Sequence, residues 1–222
     1  MKYFILFLLL VLNISTIQSQ KLPQAFSLIP SGWFRIKLSN CCHFDIPPTM
    51  EIQKGKYKEN VDLLKSLIGI ETSEIVVQQK GLNEFDSKGF QRYARIMFDT
   101  EYGNSGDYER LNFNISNITQ SDKKDLDQML NDATIKSGYK IEMKIINWYP
   151  LKIEKINGMS CIHICYTRQI KTNPIVLVNT YVFQNVDRKY TFTLSYRLSE
   201  ENYWKTDLDK VLKSFRITNI KK

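Results

Sequence analysis

The sequence predicts an α+β protein built around a largely antiparallel sheet, and three observations carry that reading. Four extended segments follow one another between Lys140 and Arg197 with only short turns between them. A strongly amphipathic helical segment follows the last of them, and two further helical segments precede the first. Strands in consecutive runs favour antiparallel pairing over repeated βαβ units.

Lys21 to Gly32 is a loop or arm, broken by Pro23, Pro30 and Gly32. Trp33 to Leu38 reads as a strand, with Phe34, Ile36 and Leu38 on one face and Arg35 and Lys37 on the other. Phe44-Asp45-Ile46 is short and extended, and Pro47-Pro48 stops it. Tyr57 to Ile68 is expected to be helical, because Tyr57, Val61, Leu64 and Ile68 recur at helical spacing before Gly69. Glu74 to Gln79 and Gln91 to Glu101 are expected strands, and most of Tyr102 to Asn117 is a polar, glycine-containing loop.

Thr119 to Asp122 resembles a capping box. The helix behind it offers Leu126, Met129, Leu130 and Ala133 as a buried stripe and ends at Gly138. Lys140 to Trp148 then alternates, and Trp148-Tyr149-Pro150 reads as an aromatic turn. Asn157-Gly158 is a strong hairpin signal ahead of a strand from Met159 to Arg168. Pro174 to Gln184 is nearly all apolar or β-branched, which places it centrally in the sheet. Lys189 to Arg197 sets Tyr190, Phe192, Leu194 and Tyr196 against Thr191, Thr193, Ser195 and Arg197. Ser199 is the expected N-cap of the last helix, with Glu200 and Glu201 in its first turn. Trp204, Leu208, Val211, Leu212 and Phe215 make its apolar face.

The N-terminus reads as a secretory signal peptide over residues 1–20. Lys2 precedes an apolar run from Phe4 to Leu12, polar residues follow, and Ser19 is small enough to precede a cleavage point. The apolar run is shorter than the roughly 20 residues a membrane span needs. An uncleaved anchor is the alternative. No cysteine stands directly behind the run, which argues against a lipid anchor. Residues 21–32 then form the N-terminal arm, and 33–222 form a single domain large enough to bury a core. Export implies a secreted or periplasmic protein with no stable membrane insertion after cleavage.

The 222 residues carry 31 lysines and arginines and 23 acidic residues, a net charge of +8. The basic residues are scattered, with no run longer than a pair such as Lys221-Lys222. Nucleic-acid binding would need a basic stripe with stacking aromatics, so it is excluded as an expectation.

Chemistry-bearing residues are few. The two histidines are His43 and His163, and the chain holds no G-x-S-x-G, P-loop, H-E-x-x-H or dinucleotide fingerprint. Cys161, His163 and Cys165 alternate along one strand face and form a soft-metal ligand set. Strand rise places the two sulfurs about 13 Å apart. One ion therefore needs one of them with His163, completed by Cys41, Cys42 or His43. A Cys/His nucleophilic dyad can be drawn from the same residues. Cys41, Cys42, Cys161 and Cys165 are an even set that permits disulfides in an exported chain, with four buried thiols as the alternative. Arg92, Arg95, Arg168 and Arg197 lie on strands and could line a carboxylate-binding groove. Asn114-Ile115-Ser116 and Asn117-Ile118-Thr119 are glycosylation sequons.

Tyr181 to Asn185, the turn after it, Tyr190 to Tyr196, and the helix closing in Val211-Leu212-Lys213-Ser214-Phe215 together resemble the PsbP-like superfamily. Phe44-Asp45-Ile46-Pro47 resembles the family's opening strand, and Ile156-Asn157-Gly158-Met159 its middle hairpin. The resemblance spans Trp33 to Ile217. The superfamily includes plant photosystem II proteins, nuclear Ran-binding factors of the Mog type, and exported bacterial proteins such as DcrB. It implies an α/β/α sandwich, with a central antiparallel sheet and helices on both faces. It also implies a non-enzymatic module that needs no cofactor and binds a protein partner. No binding residue carries over, because the family has no site motif that this chain matches. The expected function is thus a secreted, non-catalytic binding domain. The alternative is a small metal-binding protein or cysteine-dependent enzyme centred on Cys161, His163 and Cys165.

Overall fold

Alternating apolar residues commit more of the chain to strands than to helices, and the computed structural model describes residues 29–38, 41–67, 73–111 and 120–220. The signal segment, most of the arm, the sequons at Asn114 and Asn117, and Thr119 of the capping box lie outside the described residues.

Strands β1 (Phe34–Leu38), β2 (Cys42–Ile46) and β3 (Met50–Ile52) come first. Helix α1 (Gly55–Leu67), β4 (Ile75–Gln79), a short helix α2 (Ser87–Gln91) and β5 (Ala94–Tyr102) follow. Helix α3 (Gln120–Gly138) leads to β6 (Met143–Ile156), β7 (Met159–Ile170), β8 (Val176–Gln184) and β9 (Arg188–Arg197). Helix α4 (Glu201–Ser214) and a two-residue strand β10 (Arg216–Ile217) close the chain.

The main sheet has seven strands in the order β3-β4-β5-β9-β8-β7-β6, every neighbour antiparallel. A second sheet, β1-β2-β10, is also antiparallel. β8 lies inside the main sheet, as its apolar, β-branched run requires. Asn157 and Gly158 adopt positive φ of 49° and 88°, which is what a tight hairpin turn between β6 and β7 demands.

One face of the main sheet carries Tyr190, Phe192, Leu194 and Tyr196 of β9 with Ile96 and Phe98 of β5. The small sheet and α4 cover it through Phe44, Ile46, Trp204, Leu208, Val211 and Phe215, in one continuous apolar cluster. Phe215 lies at its centre, with ring centroids 4.8 Å from Phe192, 5.1 Å from Phe183 and 6.0 Å from Phe98. The buried Asp45 carboxylate is held bidentately by Arg35, at 2.7 and 3.0 Å, and its backbone N–H donates to Ser214 at 2.8 Å. That locks the small sheet to the end of α4. On the opposite face Asp127 of α3 accepts from Trp148 Nε1 and from the Leu151 N–H, both at 3.0 Å. Helices thus lie on both sides of an antiparallel sheet.

Several expectations are corrected. The stripe of α1 is not a core face: Val61 is half-buried and Leu64 is 63 % exposed. In α3, Met129 and Ala133 are exposed and only Leu126 and Leu130 are half-buried. Trp148-Tyr149-Pro150 is no turn but part of β6. The strand accommodates Pro150 because it is an edge and its register shifts between Tyr149 and Lys152. Phe34 is half exposed, because β1 stands at the rim of the small sheet. Ser199 is not the N-cap of α4, since Leu198–Glu200 wind as a 3-10 turn first. The Glu200 carboxylate is drawn instead to Trp204 Nε1 and the Tyr93 N–H, both at 3.0 Å.

Candidate functional site

The alternation of β7 divides its chemistry between the two faces of the sheet. Cys161, His163 and Cys165 point to the core face, and Tyr166 and Arg168 to the other. The first group is absorbed by local partners. His163 Nδ1 lies 3.1 Å from Glu154 Oε1, Nε2 lies 3.0 Å from Asn179 Oδ1, and the ring stacks on Tyr181 at 4.4 Å. Both ring nitrogens therefore face protein groups. Burial pushes the Cys161 thiol up to about 12 and also raises Cys165 and Cys42. A thiol held protonated is a poor nucleophile and a poor metal ligand. Among the described residues no group of three or more His, Cys, Asp and Glu side chains is placed to hold a metal ion. The four cysteines are free thiols in the structure, with Cys41 Sγ and Cys42 Sγ 3.5 Å apart.

The other face holds a cavity of about 210 Å³ where β7, β8 and β9 end. Antiparallel register builds it: Arg168 lies opposite Val176, and Val176 opposite Arg197. Tyr93 stands beside Arg197, whose N–H donates to the Tyr93 carbonyl at 3.2 Å. Ile170, Pro174 and Val176 supply apolar wall. Of the four arginines singled out in the sequence, Arg168 and Arg197 line the cavity. Arg95 lies behind it, its guanidinium carbon 5.5 Å from the Tyr93 ring centroid. Arg92 turns away and stacks on Tyr203 at 3.9 Å.

The electrostatics of this face are positive. Burial pushes the Tyr93 phenol up, but Arg95, Arg168 and hydrogen bonds from Ser195 and Arg168 outweigh it and hold the group below its ordinary value. Burial, and then Arg95, depress the Lys65 ammonium on α1. Arg197 is tied through Nη1 to Glu200 at 3.2 Å and to the Gln91 carbonyl at 2.7 Å. Among the described residues Arg95 and Arg168 form no ion pair, and the buried Arg95 Nε has no hydrogen-bond partner. Sequence reasoning missed Tyr93. Its signal was its place two residues before Arg95 on the same strand face.

A third feature is apolar. Helix α1 has no buried residue, and Leu63, Leu64 and Leu67 are 61 %, 63 % and 73 % exposed. At its first turn Tyr57 packs edge-on to Phe85, with centroids 5.7 Å apart, and lies 6.5 Å from Phe90. Both phenylalanines are about half exposed.

No family model matches the chain, and no curated protein matches it. Solved structures similar to it include the solution structure of cyanobacterial PsbP (CyanoP) from Synechocystis sp. PCC 6803. That alignment has 13 % identity and a TM-score of 0.48, covering 87 % of this chain and 95 % of that one. LpqN of Mycobacterium tuberculosis, described as involved in cell envelope biogenesis, aligns at 9 % identity and a TM-score of 0.45, over 80 % of this chain and 83 % of that one. A Pseudomonas aeruginosa protein of unknown function, PA94, aligns at 8 % identity and a TM-score of 0.35, over 82 % and 94 %. A PsbP structure and a protein involved in cell envelope biogenesis are thus among the structural neighbours of this chain.

Proposed function

We propose that the chain is an exported, non-catalytic domain that binds a protein partner in the cell envelope or outside the cell. Helix α1 carries this reading. Its leucines project into solvent on the helix whose first turn carries an aromatic cluster, where a helix with a purely structural role would turn them to the sheet. Exposed apolar groups gathered on one element suit contact with another protein. The order of charge, apolar run and small residues over 1–20 supports export. Among the described residues no helix is long and apolar enough to cross a membrane.

The test uses photo-crosslinking residues placed at Leu64 and Leu67 and, as a control, at Lys205 on α4, in cells that make the protein. The expected outcome is one reproducible adduct from the α1 positions, absent from Lys205 and lost in the Leu63→Asp variant. Adducts that form equally from all three positions, or from none, would sink the proposal. Sequencing the N-terminus of the recovered protein checks export, with a start near residue 20 expected.

A further inference from the structure

We propose that the cavity at the ends of β7, β8 and β9 is a carboxylate-binding site that takes an acid with a short apolar body. The site is independent of the protein partner proposed above. The polar residues of the cavity wall are two cations, Arg168 and Arg197, and two neutral residues able to donate, Tyr93 and Asn173. Among the described residues no carboxylate lines it. Glu200, the one acid within ion-pair distance of these groups among the described residues, is spent on Arg197 Nη1, the Tyr93 N–H and Trp204.

Arg168 is left with two weak or neutral partners, Met143 Sδ at 3.7 Å and the Tyr93 hydroxyl. A half-buried guanidinium without a counter-charge is costly and gains most from an anion that meets its planar fork. Arg95 adds a second unpaired cation directly behind Tyr93.

Size and lining narrow the ligand. The cavity, about 210 Å³ and open on one side, seats a small group between its walls. Ile170, Pro174 and Val176 offer no partner for the three or four charged oxygens of a phosphate, but they pack well on an alkyl group. A carboxylate facing Arg168 with an aliphatic tail against Val176 satisfies both walls. Such a group is presented by a short free carboxylic acid, or by the C-terminal residue of a peptide ending in an aliphatic side chain.

Calorimetry on the purified protein distinguishes these. The probes are pentanoate, pentanamide, inorganic phosphate, and N-acetyl-glycyl-valine as free acid and as C-terminal amide. At least one acid should bind saturably, with its amide weaker by about tenfold or more, the weight of one charge-assisted contact. Arg168→Gln should cost a similar factor, and Val176→Trp, which fills the cavity, should remove binding. Tighter binding of the peptide acid assigns the site to a chain terminus, and tighter binding of pentanoate to a free acid. Equal affinity for acid and amide, phosphate binding as tight as either acid, or no saturable binding of either acid by the unmutated protein overturns the proposal. The acid-to-amide comparison needs no variant, so it stands even if a substituted chain misfolds.

Discussion

At the scale of single residues, side-chain partners decide which chemistry survives folding. His163 was visible in the sequence as a ligand candidate, but its partner Glu154 was not paired with it. The pairing was recoverable: a two-residue turn at Asn157-Gly158 sets Ile156 opposite Met159, and counting outward brings Glu154 opposite Cys161, beside His163. Asn179 was not recoverable, because the loop between β7 and β8 has no comparable signature. His43 supplies a pH test. Burial lowers its imidazole first and Arg35 next; Asp45 opposes them, and Arg216 and Lys37 add smaller downward effects. Its folded pKa therefore lies below its unfolded one. The unfolded chain binds the extra proton in the window below about pH 6.5, and stability rises with pH there. Urea unfolding midpoints should climb from pH 5 to pH 7 and level off above it. In His43→Gln that slope should be reduced, and an unchanged slope would place the titration elsewhere.

At the scale of elements, patterns with strict geometry were readable and patterns that rely on a neighbour were not. β9 alternates in the sequence and buries Tyr190, Phe192, Leu194 and Tyr196 as the pattern demands. The face of α4 is likewise buried at Trp204, Leu208 and Val211. Helices α1 and α3 have the same periodicity but much exposed apolar surface. Period reports which residues share a face, not whether anything covers it. β3, α2 and β10 were missed because two to five residues carry too little pattern. The β6–β7 turn does more than reverse the chain. Asn157 Nδ2 donates to the carbonyls of Phe215 at 2.6 Å and Lys213 at 3.2 Å, taking up acceptors at the end of α4. Gly158→Ala puts a Cβ on a residue at φ 88° and should cost about 1–2 kcal/mol. A denaturant midpoint unchanged from the unmutated protein would show that the turn relaxes freely.

At the scale of the whole molecule, the aromatic centre joins the small sheet, the large sheet and the last helix. The antiparallel α+β architecture was readable because strands crowd the second half of the chain. The second sheet was not, because β2 recruits β10 from 173 residues away, the separation of Arg216 and His43, with no local cue. Phe215 is the hinge of that arrangement, 2 % exposed and in ring contact with Phe98, Phe183 and Phe192. Phe215→Ala should cost about 3–5 kcal/mol, a large fraction of the stability of a typical domain. It should also loosen both sheets together, so near-ultraviolet circular dichroism and hydrogen exchange at β2 and β9 should change in parallel. Loss of protection in β2 alone would mean that the two sheets unfold independently.

The interrupted register of β6 has a consequence for how copies of this chain behave at high concentration. A straight outer strand of 14 residues would offer a ladder of free amides and carbonyls on which another molecule could crystallise strand by strand. Pro150 removes one donor from that ladder. The shifts at Ile145/Asn147 and Tyr149/Lys152 break its spacing, and Lys144, Lys152 and Lys155 set like charges against an approaching copy. The kinks thus act as a guard against fibre growth, a role that concerns crowding and shelf life rather than any ligand.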